Sequence, residues 1–518
     1  MSPTGTKVNV GTGPLTPAQV LAVARQGAVV ELSAQARQAI TESRTIIAAL
    51  AADSQPHYGV STGFGALATS HIPNDARTRL QRHLIRSHAA GSGAEVEREV
   101  VRAMLLLRLS TLATGRTGVR LRTAETYAAM ISAGITPIVH EYGSLGCSGD
   151  LAPLAHCALA LMGEGPVRDA AGVPLDAGRA LGNAGIEPVE LQEKEGLALI
   201  NGTDGMLGML LLAIEDLRGL LTTADIAAAM SVEGLLGTDR VFAADLQQLR
   251  PQPGQAASAA NIRALLCESP IVASHRGPQD TRVQDAYSLR CAPAVAGGAR
   301  DTLAHAARVA ENELAAAVDN PVVTLDGRLE SNGNFHGAPL AYVLDFLAIV
   351  IADLASISER RTDRFLDRAR SHGLPAFLAD DPGVDSGYMI AQYTQASIVS
   401  ELKRLAVPAS VDSIPSSAMQ EDHVSMGWSA ARKLRRSIDG LTRVLALELL
   451  TAARGIELRR PLAPAPATAA VIAALRETTH ATDGAGDRFL APEIEAAVTA
   501  VRSGRVRTAA QTVTGVLA

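Results

Sequence analysis

The stretch Gly143-Ser-Leu-Gly-Cys-Ser-Gly-Asp-Leu-Ala-Pro-Leu-Ala-His156 joins a glycine-rich turn to the start of an apolar helix. Its three glycines allow backbone conformations that other residues avoid, which predicts a tight turn around Cys147 and Ser148. An acid and an early proline, Asp150 and Pro153, are typical of a first helical turn. Taken alone, the same residues also fit a plain loop in which Ser148 caps the helix.

The composition is that of an ordinary globular protein rich in close-packed helices. Of the 518 residues, 47% are hydrophobic and 19% are charged, which argues against disorder. Aromatic residues make up only 3%, so alanine and leucine must fill much of the interior. The net charge of −6 gives no basic surface, and we therefore expect no nucleic-acid partner.

The cysteines and the apolar segments indicate the cellular compartment in which the protein is expected. The four cysteines lack C-x-x-C spacing, which indicates neither a zinc site nor a disulfide framework. We expect no metal, and a reducing cytoplasm is the default. The first residues show no apolar signal segment. The longest apolar run, Pro339 to Ile357, contains Asp345 and Asp353, which predicts a buried core helix and no membrane span.

The pattern along the chain predicts helices separated by loops rich in glycine and proline. A capping box at Thr16 opens helical patterning that breaks near Gly27. Another helical segment is interrupted at 201–203, and a loop-rich section is expected from 251 to 298. We predict an N-terminal domain over 1–205, a central bundle of long helices over 206–460 and a C-terminal helical segment over 461–518.

The stretch quoted above resembles the signature of the aromatic amino acid ammonia-lyase family. In that family an Ala-Ser-Gly tripeptide cyclises by itself into 4-methylidene-imidazol-5-one (MIO), an electrophile. The resemblance implies that Cys147-Ser148-Gly149 forms this group here. The Gly149 nitrogen would attack the carbonyl of residue 147, and Ser148 would lose its hydroxyl as a second water. Cys147 replaces the usual alanine, but its side chain is not consumed by the cyclisation.

Further stretches match the family in order, from Thr16 to about Ala497. By resemblance, Tyr58 in Tyr-Gly-Val-Ser-Thr-Gly-Phe-Gly is the base that removes a substrate β-proton. Asn201 supports the MIO group, and Asp204 stands where histidine ammonia-lyases usually carry glutamine. Phe335 would pack beside the ring. As bare sequence, a tyrosine in a glycine loop and a helix ending at Asn-Gly are also ordinary packing and capping residues.

Substrate recognition is implied by two further groups of residues. Arg290 would clamp the substrate carboxylate with its planar guanidinium, while Gln284 and Tyr287 would line the MIO group and the substrate amine. His88 and Glu421 match the selectivity positions of the histidine enzymes, where both side chains can hydrogen-bond an imidazole. Taken singly, such a histidine is usually structural and such a glutamate usually a solvated cap. Met389 would contribute to the wall of the pocket.

The resemblance therefore implies a mainly α, ammonia-lyase (fumarase/aspartase-like) fold with a central bundle of long helices, in a cytoplasmic homotetramer. The implied reaction is carbon–nitrogen lyase chemistry, the elimination of ammonia from L-histidine to give trans-urocanate. A 2,3-aminomutase, or a lyase for another aromatic or cationic amino acid, is an alternative motivated by Cys147, Asp204 and Met419. A helical scaffold in which the ring never forms, and Cys147 acting as an ordinary thiol nucleophile, are two others.

Overall fold

The computed structural model describes residues 6–53, 55–63, 70–277, 280, 283–479 and 486–518. Helices dominate these residues, so the prediction of a mainly α fold is confirmed. In chain order the helices are α1 (Pro17–Gln26), α2 (Ala34–Ala52), α3 (Asn74–His88), α4 (Arg98–Ala113), α5 (Leu121–Ser132), α6 (Leu151–Leu161), α7 (Ala177–Asn183), α8 (Glu195–Ile200), α9 (Asp204–Gly234), α10 (Ala244–Gln248), α11 (Pro253–Leu265), α12 (Pro270–Ala273), α13 (Tyr287–Arg290), α14 (Ala292–Leu314), α15 (Ala338–Leu366), α16 (Met389–Leu405), α17 (Gly427–Glu457), α18 (Pro466–Thr479), α19 (Ala491–Arg502) and α20 (Arg505–Thr514).

Short strands form small sheets between these helices. The strands are β1 (Lys7–Val10), β2 (Val29–Leu32), β3 (Ser92–Glu95), β4 (Thr136–Pro137), β5 (His140–Tyr142), β6 (Pro166–Arg168), β7 (Pro174–Asp176), β8 (Val322–Val323) and β9 (Leu329–Glu330). Strands β1 and β2 pair in parallel, with Lys7 opposite Val29. The pairs β3–β5, β4–β6, β6–β7 and β8–β9 are antiparallel.

Local sequence signals account for several helix boundaries. Thr16 and Gln19 form the predicted capping box, and Gly27 ends α1 in the left-handed region at φ +70°. The predicted interruption at 201–203 is also confirmed, because α8 ends at Ile200 and α9 begins at Asp204. That interruption positions the candidate site described below.

The prediction of a loop-rich section from 251 to 298 is wrong for most of its length. Helix α11 starts with Pro253 at its first turn, and α12, α13 and the beginning of α14 follow within the section. Pro253 and Pro270 lie in the first turns of α11 and α12, and Gly254 and Gly297 lie at a close helix contact. A Cβ added at Gly254, for example, would come within 2.3 Å of the carbonyl oxygen of Gly297.

The chain divides into two compact units, each of which is assembled from separate parts of the sequence. The first consists of Met1–Leu212, Ala307–Asp345 and Pro408–Arg432, and the second of Ala213–Ala306, Phe346–Val407 and Lys433–Ala518. In the first unit, α4 is buried from Val100 to Ala113. In the second, the buried carboxylate of Glu448 accepts hydrogen bonds from Ser231, Ser358 and Arg361. The predicted domain boundaries near 205 and 460 stay predictions.

Within the described residues, one helix is long and apolar enough to cross a membrane by length and composition alone. It is α15, and 61% of its apolar window is buried inside the protein. Asp345 lies in this helix, is 1% exposed and accepts a hydrogen bond from the Ser410 backbone N–H at 2.8 Å. Burial of this kind is what the sequence predicts for a core helix.

Candidate active site

The Gly143–Gly149 loop connects β5 to α6 and has the strained geometry predicted for it. Gly143, Gly146 and Gly149 all have positive φ, at +141°, +66° and +77°. Gly149 lies against Gly202, and the Asp150 N–H donates to the Gly202 carbonyl at 2.7 Å. A Cβ at position 149 would lie 2.0 Å from that carbonyl oxygen. Only glycine fits here, both for its conformation and for its contacts.

We expect Gly149→Ala to lower the free energy of unfolding by about 4 kcal/mol, from left-handed strain plus overpacking against Gly202. Gly172 is a matched control, because its φ is +84° but a Cβ there would meet nothing within 4 Å. Gly172→Ala should therefore show the conformational strain alone, about 1 kcal/mol. Urea denaturation of both variants checks this, and equal losses would contradict the role of the Gly202 contact.

The other side of the loop is held by two further segments of the first unit. The Ser425 hydroxyl donates to the Gly146 carbonyl at 2.9 Å, and the Met426 N–H donates to the Leu145 carbonyl at 2.9 Å. The Gly337 N–H also reaches the Gly146 carbonyl, at 3.4 Å. The loop is therefore fixed from both sides, which favours a preset backbone geometry around residues 147–149.

Helix α6 begins directly after Asp150, as predicted, and Asp150 is its N-cap residue. Its side chain makes no capping hydrogen bond to α6. Instead its carboxylate accepts the backbone N–H groups of Gly205 and Met206, both at 2.9 Å, and the Ser144 hydroxyl at 2.9 Å. Complete burial raises the pKa of Asp150 to about 7. The residue ties the Gly143–Gly149 loop to the first turn of α9.

Asn201 lies at the end of α8, directly beside the glycine loop. Its side-chain amide donates to the Asn320 carbonyl at 3.1 Å, and its backbone carbonyl accepts from Arg108. Gly202, the next residue, carries the contact with Gly149. Asn201 is thus next in sequence to a residue that contacts the loop, and its role beside the tripeptide stays a prediction.

Arg108 accounts for the unusual Asp204. The two side chains form an ion pair with 3.1 Å between Arg108 Nη2 and Asp204 Oδ2, and the exposed fractions of the side chains are 0% and 6%. The same guanidinium donates to the carbonyls of Ala198 and Val318 at 3.0 and 3.1 Å. The negative charge at position 204 is thus balanced by a buried arginine, which sequence inspection alone did not connect to it.

We expect Arg108→Met to lower the free energy of unfolding by about 3–5 kcal/mol, because it leaves the Asp204 charge buried without its partner. Arg122→Met is the control, since Arg122 pairs with Glu187 where the side chains are 58% and 84% exposed. That change should cost less than about 1 kcal/mol. The comparison is made by urea denaturation, and a loss for Arg108→Met no larger than the control's would contradict the assignment.

His88, Glu421 and Cys147 come together in the first unit. His88 ends α3, and its Nδ1 lies 2.9 Å from the Leu84 carbonyl. A carbonyl only accepts, so Nδ1 carries the proton and Nε2 keeps a lone pair for a ligand. Burial lowers the pKa of His88, whereas the nearby Glu421 acts in the opposite direction. Glu421 is held in a turn by the Ser416 hydroxyl, which donates to its carboxylate at 3.1 Å.

The surroundings of Cys147 argue against an ordinary thiol nucleophile. Burial raises the pKa of its thiol to about 12, and a hydrogen bond to the Glu421 carboxylate adds to this increase. A reactive cysteine needs the thiolate, which a positively charged or basic neighbour stabilises. Here the neighbour is an acid, which favours the protonated thiol.

Tyr58 and Phe335 lie on loops in the same unit. Tyr58 is half-buried in the turn that follows α2, and a Cβ at Gly59 would lie 2.8 Å from the Leu197 side chain on α8. Phe335 is half-buried two residues before Gly337, which contacts the Gly143–Gly149 loop. Both loops are thus held next to the segments that carry Asn201 and Gly146. The end of the Tyr58 motif, at 64–65, lies outside the described residues.

The remaining predicted residues belong to the second unit. Arg290 closes α13, and its guanidinium carbon lies 4.6 Å from the centre of the Tyr287 ring. Its buried Nε has no hydrogen-bond partner among the described residues. A buried donor left in this state is suited to an anionic ligand such as a carboxylate. Gln284 is exposed, and Met389 is the first residue of α16.

Metal chemistry has no counterpart in the described part of the chain, where no group of three His, Cys, Asp or Glu residues could hold a metal ion. All four cysteines, which lie in the described ranges, are free thiols.

Solved structures with this fold include ammonia-lyases and aminomutases. Tyrosine aminomutase from Streptomyces globisporus superposes with a TM-score of 0.93 at 36% identity, over 99% of this chain and 100% of that one. Histidine ammonia-lyase from Trypanosoma cruzi superposes with a TM-score of 0.89 at 38% identity, over 98% and 95%. The predicted ammonia-lyase fold is confirmed, and it defines the class of protein.

The sequence comparisons are more specific. A model of the aromatic amino acid lyase family matches residues 15–477. Histidine ammonia-lyase from Streptomyces avermitilis is 65% identical over 512 residues, 99% of each chain. The chain therefore belongs to the aromatic amino acid lyase family, and it is a carbon–nitrogen lyase.

Proposed function

We propose that this chain eliminates ammonia from L-histidine to give trans-urocanate. The observation that carries the proposal is the pairing of His88 and Glu421 beside Cys147. The His88 Nε2 lone pair can accept an imidazole N–H, and the Glu421 carboxylate can accept another or balance an imidazolium. A phenyl or phenol ring could not satisfy both groups. The high identity with curated histidine ammonia-lyases supports the same substrate.

We further propose that Cys147-Ser148-Gly149 cyclises to the MIO group, and the residues present fit that chemistry. Gly149 has no side chain to hinder its nitrogen, and the loop is clamped on both sides by Gly202 and Ser425. Clamping of this kind holds the two reacting backbone groups together. When formed, the group supplies an electrophilic methylidene to which the substrate amine adds, which makes the amine a better leaving group.

We give the other residues the roles that the family resemblance implies. Tyr58 would remove the β-proton, a general-base role that requires its phenol to reach the phenolate form. Asn201 would hold the electrophile from the end of α8. Arg290 would bind the substrate carboxylate through its guanidinium, whose Nε is buried, with Tyr287 and Gln284 beside the substrate amine. Phe335 and Met389 would form apolar walls.

We propose a cytoplasmic homotetramer as the active form. In the family, each active site is built from residues of three subunits. The resemblance explains in this way why the implied site residues are spread along the sequence. The negative net charge and the core character of α15 agree with a protein that works away from nucleic acid and membranes. Analytical ultracentrifugation of the purified chain tests the assembly, and a stable monomer with full activity would rule it out.

A second candidate is a 2,3-aminomutase, which the superposition with tyrosine aminomutase favours specifically. Such an enzyme would return the amine to the β-carbon instead of releasing it. The two functions differ in product, not in the first steps. Formation of β-histidine without ammonia would decide for the aminomutase.

The experiment is a panel of L-amino acids that includes histidine, phenylalanine, tyrosine and lysine. Ammonia and the absorbance of the acrylate product are measured for each. The proposal expects histidine to have by far the highest kcat/KM. A strong preference for tyrosine or phenylalanine would contradict the roles given to His88 and Glu421.

A further inference from the structure

His156 lies on α6, just beyond the Gly143–Gly149 loop, which is called the electrophile loop below. None of the roles proposed above includes His156. Its ring Nε2 accepts a hydrogen bond from the Gly91 backbone N–H at 3.1 Å. An amide N–H is only a donor, so Nε2 must be unprotonated and the neutral ring must carry its proton on Nδ1. The residue therefore acts here as a hydrogen-bond acceptor for one particular backbone group.

Gly91 is three residues beyond His88, and the short connection between them is folded tightly. The Ala89 N–H donates to the Ile85 carbonyl at 2.9 Å, and the Ala90 N–H donates to the His88 carbonyl at 2.8 Å. These two bonds belong to the end of α3 itself. The bond from Gly91 to His156 joins the connection to a different helix, the one that begins at the electrophile loop.

The connection between α3 and β3 is closely packed at Gly91, which leaves little space for a side chain there. A Cβ at position 91 would lie 3.0 Å from His156 Nε2 and 3.2 Å from the Tyr142 carbonyl oxygen. A Cβ at Gly143 would lie 3.2 Å from the Gly91 Cα. The segment that carries His88 and the first residue of the electrophile loop thus touch directly, with the His156 ring against the same point.

The chain after Gly91 is fixed to the same region. Ser92 pairs with Tyr142 in the β3–β5 sheet, and His140 Nδ1 lies 3.0 Å from the Gly93 carbonyl. The His140 and His156 rings meet edge to face, with centroids 5.6 Å apart. Burial, and secondarily the neighbouring His140, lowers the pKa of His156, which favours the neutral form that accepts from Gly91.

We propose that His156 is a positioning residue for substrate recognition. By holding Gly91, it fixes the end of α3 and with it the distance of the His88 imidazole from residues 147–149. The inference rests on the proposed function, because it assigns His88 to the substrate ring. In this role His156 acts through the backbone of Gly91 and does not contact the substrate itself.

Two polar substitutions of similar size test this. In His156→Gln the Oε1 atom can take the place of Nε2 and accept the Gly91 N–H, whereas the shorter side chain in His156→Asn does not reach. We expect kcat/KM for histidine to fall about 10- to 100-fold in His156→Asn, mainly through a higher KM, and to be largely restored in His156→Gln. Equal losses in both variants would overturn the proposal.

A double-mutant cycle with His88→Ala separates positioning from general stability. If His156 acts through His88, His156→Asn should cause little further loss once the His88 imidazole is gone. A merely structural role would instead multiply the two losses. That additive result would also overturn the proposal.

Amide hydrogen exchange tests the positioning role of His156 without measuring the reaction. The amides of residues 89–95 should exchange faster in His156→Asn than in the unsubstituted chain, and His156→Gln should restore protection. Unchanged exchange in His156→Asn would overturn the positioning role even in a chain inactive on histidine. Failure of the unsubstituted chain to form urocanate would overturn the proposed function instead, so the two failures are distinguishable.

Discussion

Ser148→Ala is expected to reduce kcat for histidine by at least about 1000-fold, because covalent catalysis is lost as a whole and other groups cannot replace it. The serine hydroxyl is the atom group whose loss as water would create the methylidene. Without it the amine of the substrate remains a poor leaving group. Ammonia release and urocanate absorbance, measured at saturating histidine, check the result.

Cys147→Ala is the matched control for this change. It alters the neighbouring residue by a similar volume, and alanine is the usual residue of the family at this position. The cyclisation consumes only the backbone of residue 147, so kcat should stay within about tenfold of the unsubstituted value. A Ser148→Ala protein that keeps more than a tenth of the activity would contradict the assignment of the electrophile.

Glu421→Gln is expected to lower kcat/KM for histidine by about 100-fold, because a charge-assisted hydrogen bond to the imidazole is replaced by a neutral and partly mismatched one. The glutamine keeps the size of the side chain, and its amide can still accept the Ser416 hydroxyl. Any effect should therefore reflect recognition and not folding. Initial rates over a range of histidine concentrations give the ratio.

Asp422→Asn, one residue away, serves as the control for Glu421→Gln. Asp422 is exposed, and the same loss of one negative charge should change kcat/KM by less than about twofold. Equal falls in the two variants would indicate a general electrostatic effect. An unchanged value in Glu421→Gln would contradict the proposed contact with the imidazole.

The parts of the fold that local sequence signals determine were predictable. The capping box at Thr16 and the break between α8 and α9 are written in a few adjacent residues, and both agree with the structure. The glycine turn around Cys147 was equally visible, because positive φ and close backbone contacts require glycine. The section from 251 to 298 differs from the prediction because Pro253 and Pro270 start helices and do not interrupt them.

The interactions that hold the site depend on residues far apart in sequence. Asp150 caps α9, and Arg108 balances Asp204, although 55 and 96 positions separate the partners. No periodicity or motif links such pairs, since packing of the folded chain alone brings them together. The bond between His156 and Gly91 is of the same kind. The sequence therefore predicts candidate residues for the site, whereas the long-range contacts that hold them follow only from the folded structure.

The central claim is that residues 147–149 form the electrophile of a histidine-directed lyase. Mass spectrometry of the peptide that contains them tests it most directly. The account predicts a peptide lighter than its sequence mass by two water molecules, with the loss localised to Cys147-Ser148-Gly149. In Ser148→Ala the peptide should lose fewer than two water molecules. An unmodified Cys-Ser-Gly in the freshly purified, active protein would contradict it.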